Sequence, residues 1–438
     1  MKRDIRADLA VIGAGSGGLS VAAGAAQLGL SVVLFEKGEM GGDCLNFGCV
    51  PSKALIAAAA KGWDFARAMA HVSSTIETIA PVDSQERFEG LGVTVIREAA
   101  HFTDRRTVES DSVRVTARKI VIATGGRPKV PPIPGLEAAG YFTNETIFEL
   151  EALPESLTVV GGGPIGLELG QAFARLGSKV TILEADRALP REDPDLAAVV
   201  LEQLKADGVE LREGQPVERI EAGPVLVATG RAPNVEGLNL EAAGVAYDKT
   251  GIRTDRSLRT TNRRVFAIGD VTGRPAFTHA AGAHAGLFVR RALFASPVNV
   301  ENLVIPRVTY TDPELAVVGL TESEARARYG DAIKVVVQSF EHNDRAQTEA
   351  DTRGFGKLIT DRKGRILGAA IVGKDAGDLI QPFVLAMSAG VKLSRLAGYV
   401  APYPTRGEIV KRLAGQWYSP ILFSSRTRRL VSLLKRLA

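Results

Sequence analysis

The chain has 438 residues, 45% hydrophobic and 24% charged, the balance of a soluble globular protein of roughly two to four domains. Its net charge of +4 is unevenly spread: Lys411–Ala438 carries seven cations and no acid, so the other 410 residues sum to −3. A body without a basic field excludes a nucleic-acid-binding role, and no run of about 18 apolar residues is present that would span a membrane.

The N-terminus reads MKRDIRADLAVIGAG, an apolar strand from about Ala7 with no signal-peptide h-region or cleavage site. Residues 11–38, VIGAGSGGLSVAAGAAQLGLSVVLFEKG, predict an apolar strand, a G-x-G-x-x-G turn, a helix ending at Leu-Gly, a second strand and a terminal glutamate. Gly13, Gly15 and Gly18 permit the tight turn, the approach of backbone to a pyrophosphate and the close helix–strand packing. The helix N-terminus offers unpaired N–H groups and partial positive charge to phosphates. Glu36, 23 residues beyond Gly13, suits a ribose diol.

Residues 40–61 read MGGDCLNFGCVPSKALIAAAAK. The alanine-rich run from about Ser52 predicts a helix, with Pro51 and Ser52 as start signals. Cys49 then lies just before a helix N-terminus, where a thiolate is stabilised. These are the only two cysteines, with no histidine nearby, so neither a disulfide framework nor a metal site is expected. Redox work by the pair is expected, in a reducing and therefore cytoplasmic compartment. Lys53 lies one turn beyond Cys49, and Glu168 is the acid expected to pair with it.

Residues 159–186, VVGGGPIGLELGQAFARLGSKVTILEAD, repeat the first unit without gaps at an offset of 148. Gly161, Gly163, Gly166 and Glu184 take the places of Gly13, Gly15, Gly18 and Glu36, so two dinucleotides are implied. VIATGGRP (121–128) and LVATGRAPN (226–234) echo each other as strands running into turns that could close over a nucleotide; Thr124, Gly125 and Gly230 lie there. RVFAIGDVTG (264–273) ends a further strand in Asp270, a carboxylate suited to a ribityl chain or sugar hydroxyl. From about Asn302 strand-like runs alternate with helical ones and no phosphate turn appears, which reads as a separate α+β domain. The end, WYSPILFSSRTRRLVSLLKRLA, places Leu430, Val431, Leu433, Leu434 and Leu437 on one face of a short basic helix. Two readings stand: a terminal helix packed on a dimer, or a weak contact with a membrane surface.

Together GGDCLNFGCVPSKAL, GGGPIGLELG and AIGDVTG resemble the pyridine nucleotide–disulfide oxidoreductases, across nearly the whole chain. That resemblance implies two Rossmann-like domains, for FAD (1–149 and 252–302) and NAD(P) (150–251), and a C-terminal α+β dimerisation domain (303–438). It makes Cys44 the interchange thiol and Cys49 the thiol against the flavin, with Lys53 and Glu168 paired beside it. Gly42, Asp43, Phe277 and Thr278 join the cofactor-binding set. In the disulfide-reducing branches a His-Pro-Thr…Glu motif supplies the acid–base group; this chain reads PYPTRGE (402–408), so Tyr403 replaces the histidine while Glu408 matches. A phenol, with pKa near 10, is a poor base at neutral pH, but it can ligate or polarise a metal ion, and the mercuric reductase branch also has tyrosine. No cysteine follows Cys49, whereas that branch carries a C-terminal pair. The second nucleotide domain is short: Ala228 follows Glu184 by 44 positions, and VERIEAGPVLVATG holds two strands where relatives have a longer meander.

The expected function is an FAD-dependent, NAD(P)H-driven homodimeric oxidoreductase, NADH preferred because Glu184 repels a 2′-phosphate. A metal-ion acceptor is expected first, a disulfide such as lipoamide second, and a quinone taking electrons from the flavin third. A non-catalytic flavin-binding subunit is the reading from another class.

Overall fold

The computed structural model describes residues 2–221 and 223–435. The chain divides into two compact units, Met1–Arg187 with Gly208–Leu303, and Ala188–Asp207 with Val304–Ala438.

The first unit is built on two parallel sheets. In the seven-stranded one, Arg3–Ile12 lies between Val32–Phe35 and Val113–Ile122, with Val93–Ile96 beyond the former and Val265–Ala267 added to the latter. The short strands Thr107–Glu109 and His101–Phe102 extend it antiparallel. Both faces are covered, which is why Leu9–Ile12 reads as an unbroken apolar run. Ala10, Ile12, Val33 and Phe35 join one core; Leu9, Val11, Val32 and Leu34 join the other, beneath the helices Ser16–Gln27 and Thr278–Phe288.

The second sheet has five parallel strands in the order Glu210–Arg212, Lys179–Leu183, Ser156–Val160, Val225–Val227, Tyr141–Phe142. The two strands expected within VERIEAGPVLVATG reduce to one, Val225–Val227: among the described residues no strand forms between Arg212 and Val225. Val217 and Ile220 instead pack with Leu136 and Val160, and the Ile220 N–H donates to the Pro134 carbonyl at 2.9 Å. The two echo motifs pair with each other, Gly126–Pro128 antiparallel to Arg231–Pro233.

The second unit is a five-stranded antiparallel sheet in the order Arg307–Thr309, Glu314–Gly319, Ile366–Gly373, Phe355–Asp361, Ile333–Ser339. Phe340, Phe383, Leu413 and Trp417 fill its core. The helix Pro194–Ala206 packs here, against Glu314–Gly319 and Ile366–Gly373, although its place in the sequence falls within 150–251. Its buried stripe of Leu196, Ala197, Val200 and Leu204 needs an apolar cover, which the antiparallel sheet provides. An ionic cluster fixes the contact: Lys357 is 3% exposed, with Nζ 2.7 Å from Asp195, 3.2 Å from Glu322 and 3.6 Å from Asp193.

At the C-terminus the expected basic helix forms over Ser425–Leu434, capped by the Ser424 side chain, but it buries no residue. Arg436 and Leu437 lie outside the described residues. Among the described residues no helix is long and apolar enough to cross a membrane.

Lys357→Met leaves three carboxylates around an apolar side chain. The expected cost is about 3 kcal/mol, the low end for breaking a buried pair because Asp195 is half exposed. Denaturant unfolding measures it; a loss below about 1 kcal/mol would show that the cluster is dispensable.

Candidate active site

The helix carrying the second cysteine runs Cys49–Ala60 with Gly48 as its N-cap, three residues earlier than the Ser52 start expected from sequence. Pro51 is compatible because the N–H groups of a first turn have no helical partner. Cys49 is therefore the first residue of the helix, at its positive end. Cys44 belongs to a short preceding helix, Gly42–Asn46, entered through left-handed Gly41 and Gly42 with φ of 87° and 61°. Both are free thiols, Cys44 half-buried and Cys49 exposed.

Their ionisation is divided. The hydrogen bond from Cys44 is the largest influence on Cys49, and with the Thr278 hydroxyl and the Lys53 charge it outweighs burial, pushing the Cys49 thiol down to about 6. That same hydrogen bond, together with burial, pushes Cys44 up. Thr278 Oγ1 stands 3.4 Å from Cys49 Sγ. The pair thus holds a proton on Cys44 and a thiolate on Cys49. One turn on, Lys53 Nζ lies 2.8 Å from Glu168 Oε2, and Glu168 is 4% exposed on the helix Pro164–Leu176.

The two glycine turns are built alike. Gly13 and Gly161 have φ of 104° and 116°, and a Cβ at Gly18 or Gly166 would run into the carbonyl of Gly13 or Gly161. Gly15 and Gly163 are the N-caps of the following helices, and neither makes a side-chain capping bond. Glu36 accepts from the Ala14 and Gly38 N–H groups at 2.6 and 2.7 Å; Glu184 accepts from Gly162 and Asp186 at 2.6 and 3.0 Å.

Residues 7–285 match the family described as pyridine nucleotide-disulphide oxidoreductase, and residues 305–414 match its dimerisation domain. The chain belongs to the pyridine nucleotide–disulfide oxidoreductase family. A mercuric reductase of Bacillus cereus is 36% identical over 446 residues, covering 92% of this chain and 70% of the relative. A dihydrolipoyl dehydrogenase of Geobacillus stearothermophilus is 35% identical, covering 94% and 96%. Since 446 aligned positions take in only 92% of 438 residues, the mercuric reductase carries residues in this interval that the chain lacks. Among solved structures, the HOCl-induced flavoprotein disulfide reductase RclA of Escherichia coli superposes with a TM-score of 0.88 at 31% identity, covering 93% of this chain and 99% of that one. Its Cu(II) complex gives 0.87.

Family membership makes the protein an FAD- and NAD(P)H-dependent oxidoreductase, and its dimerisation domain supports a homodimer. The residues present fit FAD. A Cβ at Gly42 would come 2.8 Å from the Gly15 Cα, so the cysteine segment lies directly on the first glycine turn. The uncapped helix N-terminus there has N–H groups to spare for a pyrophosphate. Beside it Arg231 has a buried Nε without a hydrogen bond among the described residues, 3.4 Å from Asp270, while its Nη1 is 3.3 Å from Asp43 and its Nη2 donates to the Gly126 carbonyl at 2.6 Å. Burial raises the Asp270 pKa against the Arg231 charge. Asn144 completes the group, donating to Asp43 at 3.1 Å. Sequence reading missed Arg231 and Asn144; Arg231 sits inside LVATGRAPN, where only the turn was noticed.

Thr124 and Asn234 lock the paired echo motifs through hydrogen bonds of 2.7 and 3.0 Å, and Gly125 and Gly230 make the turns with φ of 68° and 116°. Phe277 precedes the helix Thr278–Phe288 and stacks on His279 at 5.1 Å. Tyr403 and Glu408 belong to the second unit. There the exposed Tyr403 hydroxyl donates to Asp344 at 2.8 Å, a partner the sequence did not suggest, and this bond raises the phenol pKa. Glu408 opens the helix Glu408–Leu422, and its Oε2 is buried without a hydrogen bond among the described residues.

The divided thiols predict the pH dependence of alkylation. In the reduced protein Cys49 reacts as the thiolate, so its iodoacetamide rate rises with a midpoint near pH 6 and is flat by neutrality. Lys53→Met moves that midpoint upward. A single wave at the ordinary thiol pKa of about 8.5, unchanged by Lys53→Met, would contradict the arrangement.

Proposed function

We propose that this protein uses NADH to reduce a soft metal ion held by Cys44 and Cys49. The observation that carries the reading is the thiol pair itself: one thiolate, one protonated thiol, and in the second unit a tyrosine where disulfide-reducing branches place their histidine. Thiolates are soft ligands that select ions of the Cu(I) and Hg(II) type. Support also comes from the similarity to mercuric reductases and from the Cu(II) complexes formed by RclA, one of them with a cysteine-to-serine variant.

When bound, FAD carries the electron pair from the nicotinamide to this site. The remaining work falls to the chain. Cys49 offers an anionic ligand at once, and Cys44 becomes the second by releasing its proton as the metal arrives. Lys53 keeps a positive charge one turn from Cys49, anchored by Glu168. Tyr403, whose hydroxyl donates to Asp344, is a phenol suited to polarising an ion rather than to removing a proton. Glu184 sets a negative charge where a 2′-phosphate would lie, which selects NADH over NADPH.

A second reading, reduction of a lipoamide-like disulfide, is supported by the dihydrolipoyl dehydrogenase relative. It requires a base for the substrate thiol, and a phenol with a raised pKa serves that step poorly.

The test is NADH oxidation by the holoenzyme with Cu(II) or Hg(II) as acceptor. Cys44→Ser and Cys49→Ser should each lower metal-dependent turnover by more than the roughly 10–100-fold typical of an outer-shell change. Tyr403→Phe should cost roughly tenfold. Wild-type rates in both serine variants, or lipoamide turnover faster than metal turnover, would overturn the assignment.

A further inference from the structure

The helix Ser425–Leu434 has no place in the chemistry above, and among the described residues nothing covers its apolar side chains. Leu430, Val431, Leu433 and Leu434 are 55%, 56%, 57% and 53% exposed, and Phe423, just before the helix, is 68% exposed. Their spacing puts the four apolar positions on one side, shared only with Arg426 and Thr427 in the first turn, with Arg428, Ser432 and Lys435 on the other. Ten residues make too short a helix to hold itself together in water, so an amphipathic segment of this kind depends on a surface to receive it.

Charge decides which surface. From Lys411 to the end of the chain there are seven cations and no acid. A second copy of the tail brings the same sign and repels it. The helix also lies past residue 414, where the match to the family's dimerisation domain ends. Cations flanking an apolar face meet both of their requirements at an anionic bilayer: the leucines enter the acyl boundary and the arginines meet phosphate groups.

We infer that the C-terminal helix docks the enzyme on an anionic lipid surface. The inference is independent of the electron acceptor. Full-length holoprotein is mixed at low salt with phosphatidylglycerol–phosphatidylcholine vesicles or with phosphatidylcholine alone, then sedimented. Wild type is expected to pellet with the anionic vesicles only. Leu430→Glu with Leu434→Glu should remain in the supernatant while keeping its flavin absorbance and NADH–dye reductase rate. Arg428→Glu with Arg429→Glu should bind roughly tenfold more weakly or worse. Failure of wild type to pellet with anionic vesicles would overturn the inference, as would equal binding of wild type and the leucine variant. So would a lipid-free sedimentation experiment in which wild type is a higher oligomer and the leucine variant a dimer, which would assign the face to another copy of the chain.

Discussion

The ion pair between Lys53 and Glu168 is the constraint on which the site depends. Lys53 is on the helix that begins at Cys49, and Glu168 is on the helix that opens the second glycine turn. At 2.8 Å, with the acid buried, the pair ties the thiol-bearing helix to the second nucleotide sheet. Removing the lysine would take the nearest cation from a buried carboxylate, so the pair resists separation of the two helices. The same lysine acts on Cys49 through space. One contact therefore joins the helix that begins at Cys49 to the helix that follows the second glycine turn, and biases the Cys49 thiol.

The rest of the site follows from helix ends and tight turns. Cys49 gains from its place at the start of a helix, and each phosphate turn gains from an uncapped helix N-terminus. The Gly41–Gly42 backbone, left-handed at both residues, folds the cysteine segment onto the first turn. Arg231 then neutralises Asp43 and Asp270, two carboxylates that would otherwise repel each other beside that turn.

Much of this was legible because it is written at short, fixed spacing. The glycine turns, the terminal acids and the cysteine pair all lie in local runs, and the internal repeat shows that two such units exist. What escaped was long-range or depended on which layer covers an apolar stripe. Thr278 reaches Cys49 across 229 residues, Asn144 reaches Asp43 across 101, and Asp344 reaches Tyr403 across 59. The helix Pro194–Ala206 looks like part of the nucleotide domain in sequence order, and only packing shows that its stripe belongs to the other unit. Pro51 misplaced the start of the cysteine helix because proline marks a first turn without saying which residue of that turn it occupies. The alternating VERI segment resembled a strand, but Ile220 is drawn to the Pro134 carbonyl instead.

The central claim is that electrons from the nicotinamide reach the Cys44–Cys49 pair, opening any disulfide between them so that both thiols can hold the metal ion. The most direct measurement is an anaerobic titration of the oxidised holoprotein with NADH, with free thiols counted by a chromogenic disulfide after denaturation. The account predicts that one equivalent of NADH per chain brings the count from zero to two, the full complement of cysteines. Flavin bleaching with the count still at zero would show that the thiols stand outside the electron path, and the account would be wrong.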